Sequence, residues 1–423
     1  MNEPAVRNEP VKKKEIFGWC CFDFANSAFV TVIITVIYSV YFKEEVANKA
    51  PWSNAVWGWT LSLSQCVVIL FAPLIGAIAD LKACKKSFLM ITTVVCSVAT
   101  CALFFVGSGE VVLAVTLVAI AYIAFSMSEN ICSGFLPEIS TPETAGKISG
   151  YGWSFGYFGG LISLVLALVI YQSGEGRTPW TFIMTGVFFM AAALPTLILL
   201  KERAIPQSLP PGRNLWTASW RENAESLRRL RSGGALGKFF IALTLFTTGL
   251  SAVIAFASIY AAEVVGMKKN EIIGLFVVLQ LAGAAGAYGF GFLQDRKGPK
   301  YSLVISLCLW IAVCVWAALC RTKVEFYIIG ALAGVAMGSL QSAGRAVVAT
   351  FTPEGKSGEY FGYWGFFTKL AAVIGPPVFG MAATFFGERI AIFVNAGFFI
   401  AGLVVLLPLA IDRRKSTTPP AGA

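Results

Sequence analysis

The sequence predicts an all-α membrane protein, with twelve transmembrane helices arranged as two pseudo-symmetric six-helix bundles. Three observations carry this. Hydrophobic residues make up 57% of the 423-residue chain, charged residues only 13%, and mean hydropathy is +0.73. That leaves too little polar surface to cover a soluble domain of this size. Apolar runs of about 20 residues, the length a helix needs to cross the hydrocarbon core, recur throughout. One polar motif also occurs twice, as GAIADLKACKK at Gly76–Lys86 and GFLQDRKGPK at Gly291–Lys300.

The predicted spans are 17–42, 54–80, 86–107, 110–133, 147–171, 179–201, 237–262, 271–294, 300–320, 325–346, 358–386 and 389–411. The third and fourth share a short hairpin at Gly107–Gly109. The expected organisation is a tail (1–16), a first bundle (17–201), a linker (202–236), a second bundle (237–411) and a second tail (412–423). With both termini placed in the cytoplasm, basic residues on that side outnumber those on the other by three to one, the bias that sets orientation. The net charge of +10 is therefore topological, and no nucleic-acid partner is expected. The linker carries Pro206, Pro210 and Pro211, then NLWTASWRENAESLRRLRS. Trp216, Trp220, Leu227 and Leu230 fall near one helical face, the pattern of a helix lying in the membrane interface. A solvated linker helix is the alternative.

Each motif copy places Gly one helical turn before Asp: Gly76 before Asp80, Gly291 before Asp295. Such a Gly lets a neighbouring backbone approach, and the Asp then sits where it can cap an adjacent helix N-terminus or pair with a base. Lys82 and Arg296 complete the predicted cytoplasmic gate. The duplication extends further. Thr141-Pro142-Glu143 recurs as Thr352-Pro353-Glu354, and each is followed by a Gly/aromatic patch, at 149–160 and 360–369, in which Trp153 corresponds to Trp364.

Polar groups inside hydrocarbon are costly and mark function by default. The first span holds Asp23, Asn26 and Ser27, with Asp23 roughly 9 Å deep at 1.5 Å per residue. Glu129 and Asn130, on the fourth span, reach a similar depth. Asp23 and Glu129 can then face each other and share a proton; a structural pair of Asp23 with a base such as Lys147 is the plain alternative. Lys369 falls near mid-membrane on the eleventh span, suited to an anionic group or to an ion pair with Asp23 or Glu129. Arg345, nearer the surface, suits a lipid phosphate or an inter-helix contact. Gln65, Trp153, Tyr157, Gln280, Gln341, Trp364 and Asn395 are candidates to line a cavity. His is absent, the ten cysteines lie mostly in apolar runs, and no nucleotide loop, nucleophile triad or metal cluster is present. No enzyme chemistry, metal or cofactor is expected.

Parallel duplication of six spans resembles the major facilitator superfamily, and the two motifs resemble its cytoplasmic loop signature, Gly-x-x-x-Asp-Arg/Lys-x-Gly-Arg/Lys-Arg/Lys. The second copy departs at Pro299. The first has Leu81 after the Asp and Ala83 for the second Gly, from which a looser latch is expected. GWCCFDFANSAF resembles the Gly-Trp-x-x-Tyr-Asp-x-Ala-Asn-Ser signature of the autophagy-linked vacuolar amino-acid effluxers and their bacterial relatives. Gly18, Trp19, Asp23, Ala25, Asn26 and Ser27 match, and Phe22 replaces Tyr. Phe135-Leu136-Pro137-Glu138 and the 146–160 region are similar as well. The resemblance implies a secondary transporter that exports amino acids. Alternating access between the halves is expected of it, and protons are expected as coupling ion from Asp23 and Glu129 in a chain without His. A sugar, peptide or drug-like solute, or a non-transporting receptor or scaffold, are the competing expectations. A small-molecule substrate, the lipid bilayer and a monomeric state complete the picture. A bacterial inner membrane is the expected location, a vacuolar or lysosomal one the alternative.

Overall fold

A computed structural model describes residues 9–174, 176–207, 215–231 and 234–411. Twelve of its helices are long and apolar enough to cross a membrane. The first six are α1 (Lys13–Val46), α2 (Ser53–Lys82), α3 (Lys85–Ala102), α4 (Val111–Ser133), α5 (Ala145–Gln172) and α6 (Thr178–Leu199). A linker helix α7 (Leu215–Arg231) follows. The last six are α8 (Ala235–Glu263), α9 (Lys269–Lys297), α10 (Pro299–Leu319), α11 (Lys323–Phe351), α12 (Ser357–Phe386) and α13 (Glu388–Leu406). The predicted tail 412–423, residues 1–8 of the other tail, and 208–214, 232 and 233 of the linker lie outside the described residues.

Eight of the twelve spans follow the predicted runs to within three residues at each end, because twenty-odd apolar residues in lipid must close their backbone hydrogen bonds within the helix. The first differs most. It reaches Val46 because past Ala28 it widens into π-helix over Phe29–Val36 and again over Phe42–Val46. The Ile37 N–H donates to the Val32 carbonyl at 2.9 Å, five residues back. Stretches of this kind are rare and tend to sit beside functional residues; here the first follows Asp23, Asn26 and Ser27 directly. Between α3 and α4, Glu110 accepts from the Gly107 N–H (2.7 Å) to close the predicted hairpin.

The duplication read from the motifs extends to packing. In the first six spans, the first packs on the fifth and sixth, the third on the fourth and sixth, and the second on the fourth. The last six repeat the same set: seventh on eleventh and twelfth, ninth on tenth and twelfth, eighth on tenth. The two sets meet along two equivalent seams, α2 with α12 and α5 with α9. The turns at Ala83 and Gly298 lie on one side of the molecule, called here the turn face. Both ends of the helical body return to it: Glu9 pairs with Lys201 (3.0 Å), and Lys300 donates to the Leu407 carbonyl (2.5 Å).

The linker helix α7 rests on α2 and α8 and reaches α12, where the Tyr363 hydroxyl meets the Asn223 carbonyl (2.9 Å) and side chain (2.5 Å). Ser219 and Ser226 are buried, and Leu230 is half-buried on the same face; Trp220 and Leu227 are exposed. The expected stripe is therefore split, with Leu230 turned to the body, and the Trp216 side chain lies outside the described residues.

In lipid, helices associate by shape and van der Waals contact rather than by the hydrophobic effect. Trp310 of α10 shows this: it is buried and stacks flat on Phe399 of α13, with centroids 5.0 Å apart and 6° between the planes. Trp310→Ala should lower stability in detergent by about 3–5 kcal/mol, from a large void that cannot close; Trp310→Phe, which keeps a ring against Phe399, should lose markedly less.

Candidate functional site

The duplicated aspartates close the turn face by a reciprocal exchange of helix caps. Asp80, at the end of α2, accepts the N–H groups of Gly358 and Glu359, both at 2.9 Å, in the first turn of α12. Asp295, at the end of α9, accepts those of Gly146 (3.0 Å) and Lys147 (3.1 Å) in the first turn of α5. Each acid thus caps the helix that follows the Thr-Pro-Glu turn of the opposite half. The amides of a first helical turn have no intrahelical partner and carry the positive end of the helix dipole, so a carboxylate there contributes on the order of 1–2 kcal/mol. The motif glycines make the approach possible. A Cβ on Gly76 would overlap the Gly358 carbonyl, and one on Gly291 would stand 2.9 Å from the Gly146 carbonyl.

The first copy is not the looser one. Ala83 takes the left-handed conformation (φ 50°, ψ 53°) in which Gly is usual, and ends α2 with its N–H and that of Cys84 turned back on Asp80 and Ala79. Lys82 and Arg296, the bases expected in the gate, are exposed. The base that enters is Lys85, 1% exposed, which lies 3.4 Å from Asp80, donates to Glu138 and reaches Ser357 Oγ across the seam at 2.6 Å. Behind it, Glu138 accepts from the Arg203 N–H (3.2 Å), Arg203 pairs with Glu15 of α1 (2.8 Å), and Gln207 donates to the Leu81 carbonyl (2.9 Å). Burial raises the Glu202 carboxyl above its ordinary range, with Lys85 opposing. Arg203 escaped notice because its sequence neighbourhood is that of any loop; Lys85 lies in the first motif and Glu138 in Phe135–Glu138, but neither was singled out as a gate residue.

Deeper in, two ion pairs join the halves. Arg345 of α11 grips Asp23 of α1 with both nitrogens (3.1 and 2.7 Å), and donates to Ser149 of α5 through Nε to the hydroxyl (3.2 Å) and Nη2 to the carbonyl (3.1 Å). The Trp19 and Trp153 rings lie 4.5 and 5.3 Å from the guanidinium. Both charges are buried, and Gly152 leaves the space: a Cβ there would overlap Asp23 and stand 2.6 Å from Arg345 Nη2. Lys369 of α12 pairs with Glu129 of α4 at 2.9 Å, with side chains 15% and 19% exposed. Asp23 and Glu129 do not pair with one another, and Asp23 takes Arg345 rather than Lys147. Arg345, 2% exposed, is out of reach of a lipid phosphate. Each acid has its own base because the helix rotation that turns Asp23 inward aims it at α11, while Glu129 is aimed at α12.

The remaining candidates divide. Tyr157 donates to Gln341 across the seam (2.9 Å), Gln280 lies beside Gly160 of α5, and Trp153 flanks Arg345, so these line the boundary of the halves. Asn130 is buried against Gly365, and its amide has no hydrogen-bond partner among the described residues. Asn26 is buried, and the Ser27 hydroxyl is spent on the Asp23 carbonyl of its own helix (2.8 Å). Gln65 turns into the first half, against Ser126 (3.4 Å), and Trp364 is buried beside Phe361. Asn395 lies inside the second half, at an apolar cavity of about 80 Å³ walled by α8–α13. Gln65 and Asn395 thus each face the interior of their own half.

Twelve spans in two like halves, closed by acid-bearing turns and holding charges between them, define a transporter of the major facilitator superfamily, not an enzyme. The fold of the human organic anion transporter MFSD10 matches at a TM-score of 0.75 and 14% identity, over 94% of this chain and all of that one. The proton:xylose symporter XylE matches at 0.74 and 11%, over 93% and 95%. A bacterial homologue of ferroportin in an outward-facing state matches at 0.72 and 14%, over 94% and 99%. Within that class the chain belongs to the family described as vacuole effluxer Atg22 like, whose model matches residues 53–418. That match begins after α1, so Gly18–Ser27 lies outside it. An uncharacterised MFS-type transporter of Bacillus subtilis, YxiO, is 24% identical over 93% of this chain and 94% of its own length. Autophagy-related protein 22-1 of Penicillium rubens is 23% identical over 66% of this chain and 51% of its own.

Ala83→Gly should raise thermal stability by up to about 1 kcal/mol, since the left-handed conformation penalises a Cβ. Asp80→Ala should cost more stability than Asp295→Ala, because it strands Lys85 and two amides in a fully buried site, whereas Asp295 is half-buried and water can reach the amides it leaves. Thermal unfolding of the three variants in one detergent tests the order.

Proposed function

We propose that this chain is a secondary active transporter that moves a small polar solute by alternating access, and that its structure is the state closed at the turn face. The reciprocal capping by Asp80 and Asp295 carries this reading. It binds both halves at one face through groups that must all part if the halves rock, and the helix ends it frees can be satisfied by water. The basic bias places the turn face and both termini in the cytoplasm. A bacterial inner membrane is the reading for location, with a vacuolar or lysosomal one as the alternative.

Proton coupling falls to Asp23. Its bidentate pair with Arg345 is buried, and removing one partner of such a pair costs roughly 3–5 kcal/mol. A proton on Asp23 removes the charge that Arg345 is held by, and so favours separation of α1 from α11. Glu129 and Lys369 suit the solute better, since their pair is the less buried of the two. A zwitterion such as an amino acid can replace it with two new pairs, its ammonium on Glu129 and its carboxylate on Lys369. Asn130, whose amide has no other partner among the described residues, follows Glu129 on the same helix.

Uptake into proteoliposomes with and without an imposed pH gradient tests both parts. Asp23→Asn should carry solute at a rate indifferent to the gradient; a retained pH dependence removes Asp23 from the coupling role. Lys369→Ala should weaken zwitterionic and anionic solutes by about tenfold or more while sparing neutral sugars, as expected for loss of one charged hydrogen bond. Equal loss for all solutes would leave Lys369 a structural residue.

A further inference from the structure

We infer that α7 is a lipid-reading clasp: its outer faces bind the anionic surface of the membrane leaflet at the turn face, and that binding steadies the closed seam between α2 and α12. The consequence for the seam rests on the alternating-access reading above; the binding to lipid does not.

The helix has three faces. At 100° per residue, Ser219, Asn223, Ser226 and Leu230 fall together and face the body, where the two serines are buried. Trp220 and Leu227 lie a quarter-turn away and are 58% and 45% exposed. Arg221 and Arg228 lie opposite the docked face and are exposed. Docking therefore leaves unsatisfied the side on which the helix carries its largest apolar groups. A helix resting on a soluble body would bury Trp220 and Leu227 and show Ser219 and Ser226 to water; this one does the reverse.

Its position says what covers that side. α7 packs on α2, from the first six spans, and on α8 and α12, from the last six, at the face where those spans begin and end. Gly237 in the first turn of α8 lies against the Leu230 carbonyl, and Tyr363 in the second turn of α12 donates to Asn223. This is the level at which hydrocarbon gives way to headgroups. An apolar face flanked by a basic one at that level is complementary to an anionic leaflet. The sequence of α7 adds Arg229 and Arg231 against Glu222 and Glu225, which keeps the helix net basic. The Arg221–Glu225 pair (3.2 Å) is exposed and holds neither charge back from a headgroup.

The link to the seam is Tyr363. It stands on the same helix as Gly358 and Glu359, whose amides Asp80 caps, about one turn further along. A leaflet that holds α7 in place holds Asn223 under Tyr363, and with it the first turn of α12 against α2.

Hydrogen exchange by mass spectrometry on the full chain tests this, in nanodiscs of phosphatidylcholine alone and of phosphatidylcholine with roughly one-third phosphatidylglycerol. Amides of 215–231 and those of Gly358 and Glu359 should exchange about fivefold more slowly with the anionic lipid, the shift expected from one basic residue at a charged surface. Arg221→Gln with Arg228→Gln should erase the gain at both places and leave the values in phosphatidylcholine unchanged. Tyr363→Phe should keep the gain in α7 and lose it at Gly358 and Glu359. Equal exchange in the two lipid mixtures overturns the proposal, as does slowing confined to α7 in the unaltered chain. A chain that shows the expected shifts but moves no solute would count against the transport reading alone.

Discussion

Two carboxylates placed on the amino ends of helices from the opposite half are the constraint from which the rest of the molecule follows. A helix that starts near the membrane leaves four amides without partners. Where two such starts are pressed against a neighbouring helix, water is excluded and something else must accept those hydrogen bonds. Asp80 and Asp295 do so for α12 and α5. Their geometry allows it only because the backbones touch at Gly76 and Gly358 on one seam, and at Gly291 and Gly146 on the other. The seams then dictate which side chains meet further in, and the ion pairs Asp23–Arg345 and Glu129–Lys369 both span the boundary they set.

The two clasps share a design and differ in depth. Around Asp295 the surroundings are partly open. Around Asp80 they are closed by Lys85, Glu138 and the strand of chain leaving α6, so Glu15, Arg203 and Gln207 are tied into the same knot. A buried network of this kind is costly unless every member is satisfied. It also couples elements distant in sequence: the start of α1, the end of α2, the turn before α5 and the exit from α6. The first half thereby gains a shelf at the turn face on which the linker begins, with no counterpart among the described residues of the second half. The asymmetry is consistent with the linker entering on one side only.

Much of the site was legible before any coordinates. Asp80 and Asp295 announced themselves by repetition; of the two roles read for them, capping a neighbouring helix or pairing with a base, both acids cap and Asp80 also lies beside Lys85. Asp23, Glu129 and Lys369 stood out because a charge in an apolar run is rare. Partners were harder. Lys82 and Arg296 occupy the motif's basic positions yet point outward, whereas Lys85, three residues on from Lys82, turns in; that choice depends on the left-handed cap at Ala83, which the replacement of Gly by Ala concealed. Arg345 was visible as a charge, but its grip on Asp23 depends on the depth at which α1 and α11 cross. Gln65 turns to Ser126 within the first half and Asn395 to a cavity within the second, because polarity reveals that a group needs a partner and is silent about which side of the helix supplies it.

The chain by itself determined the spans, their number and the duplication, since each depends on hydropathy or on short motifs that act within a few residues. Only the tertiary structure decided which acid meets which base, which polar side chains face the boundary of the halves, and that α7 lies across a seam with Trp220 outward. Those outcomes turn on the rotation and depth of helices hundreds of residues apart, and a shift of one residue turns a side chain through 100°. Local sequence carries no record of that angle.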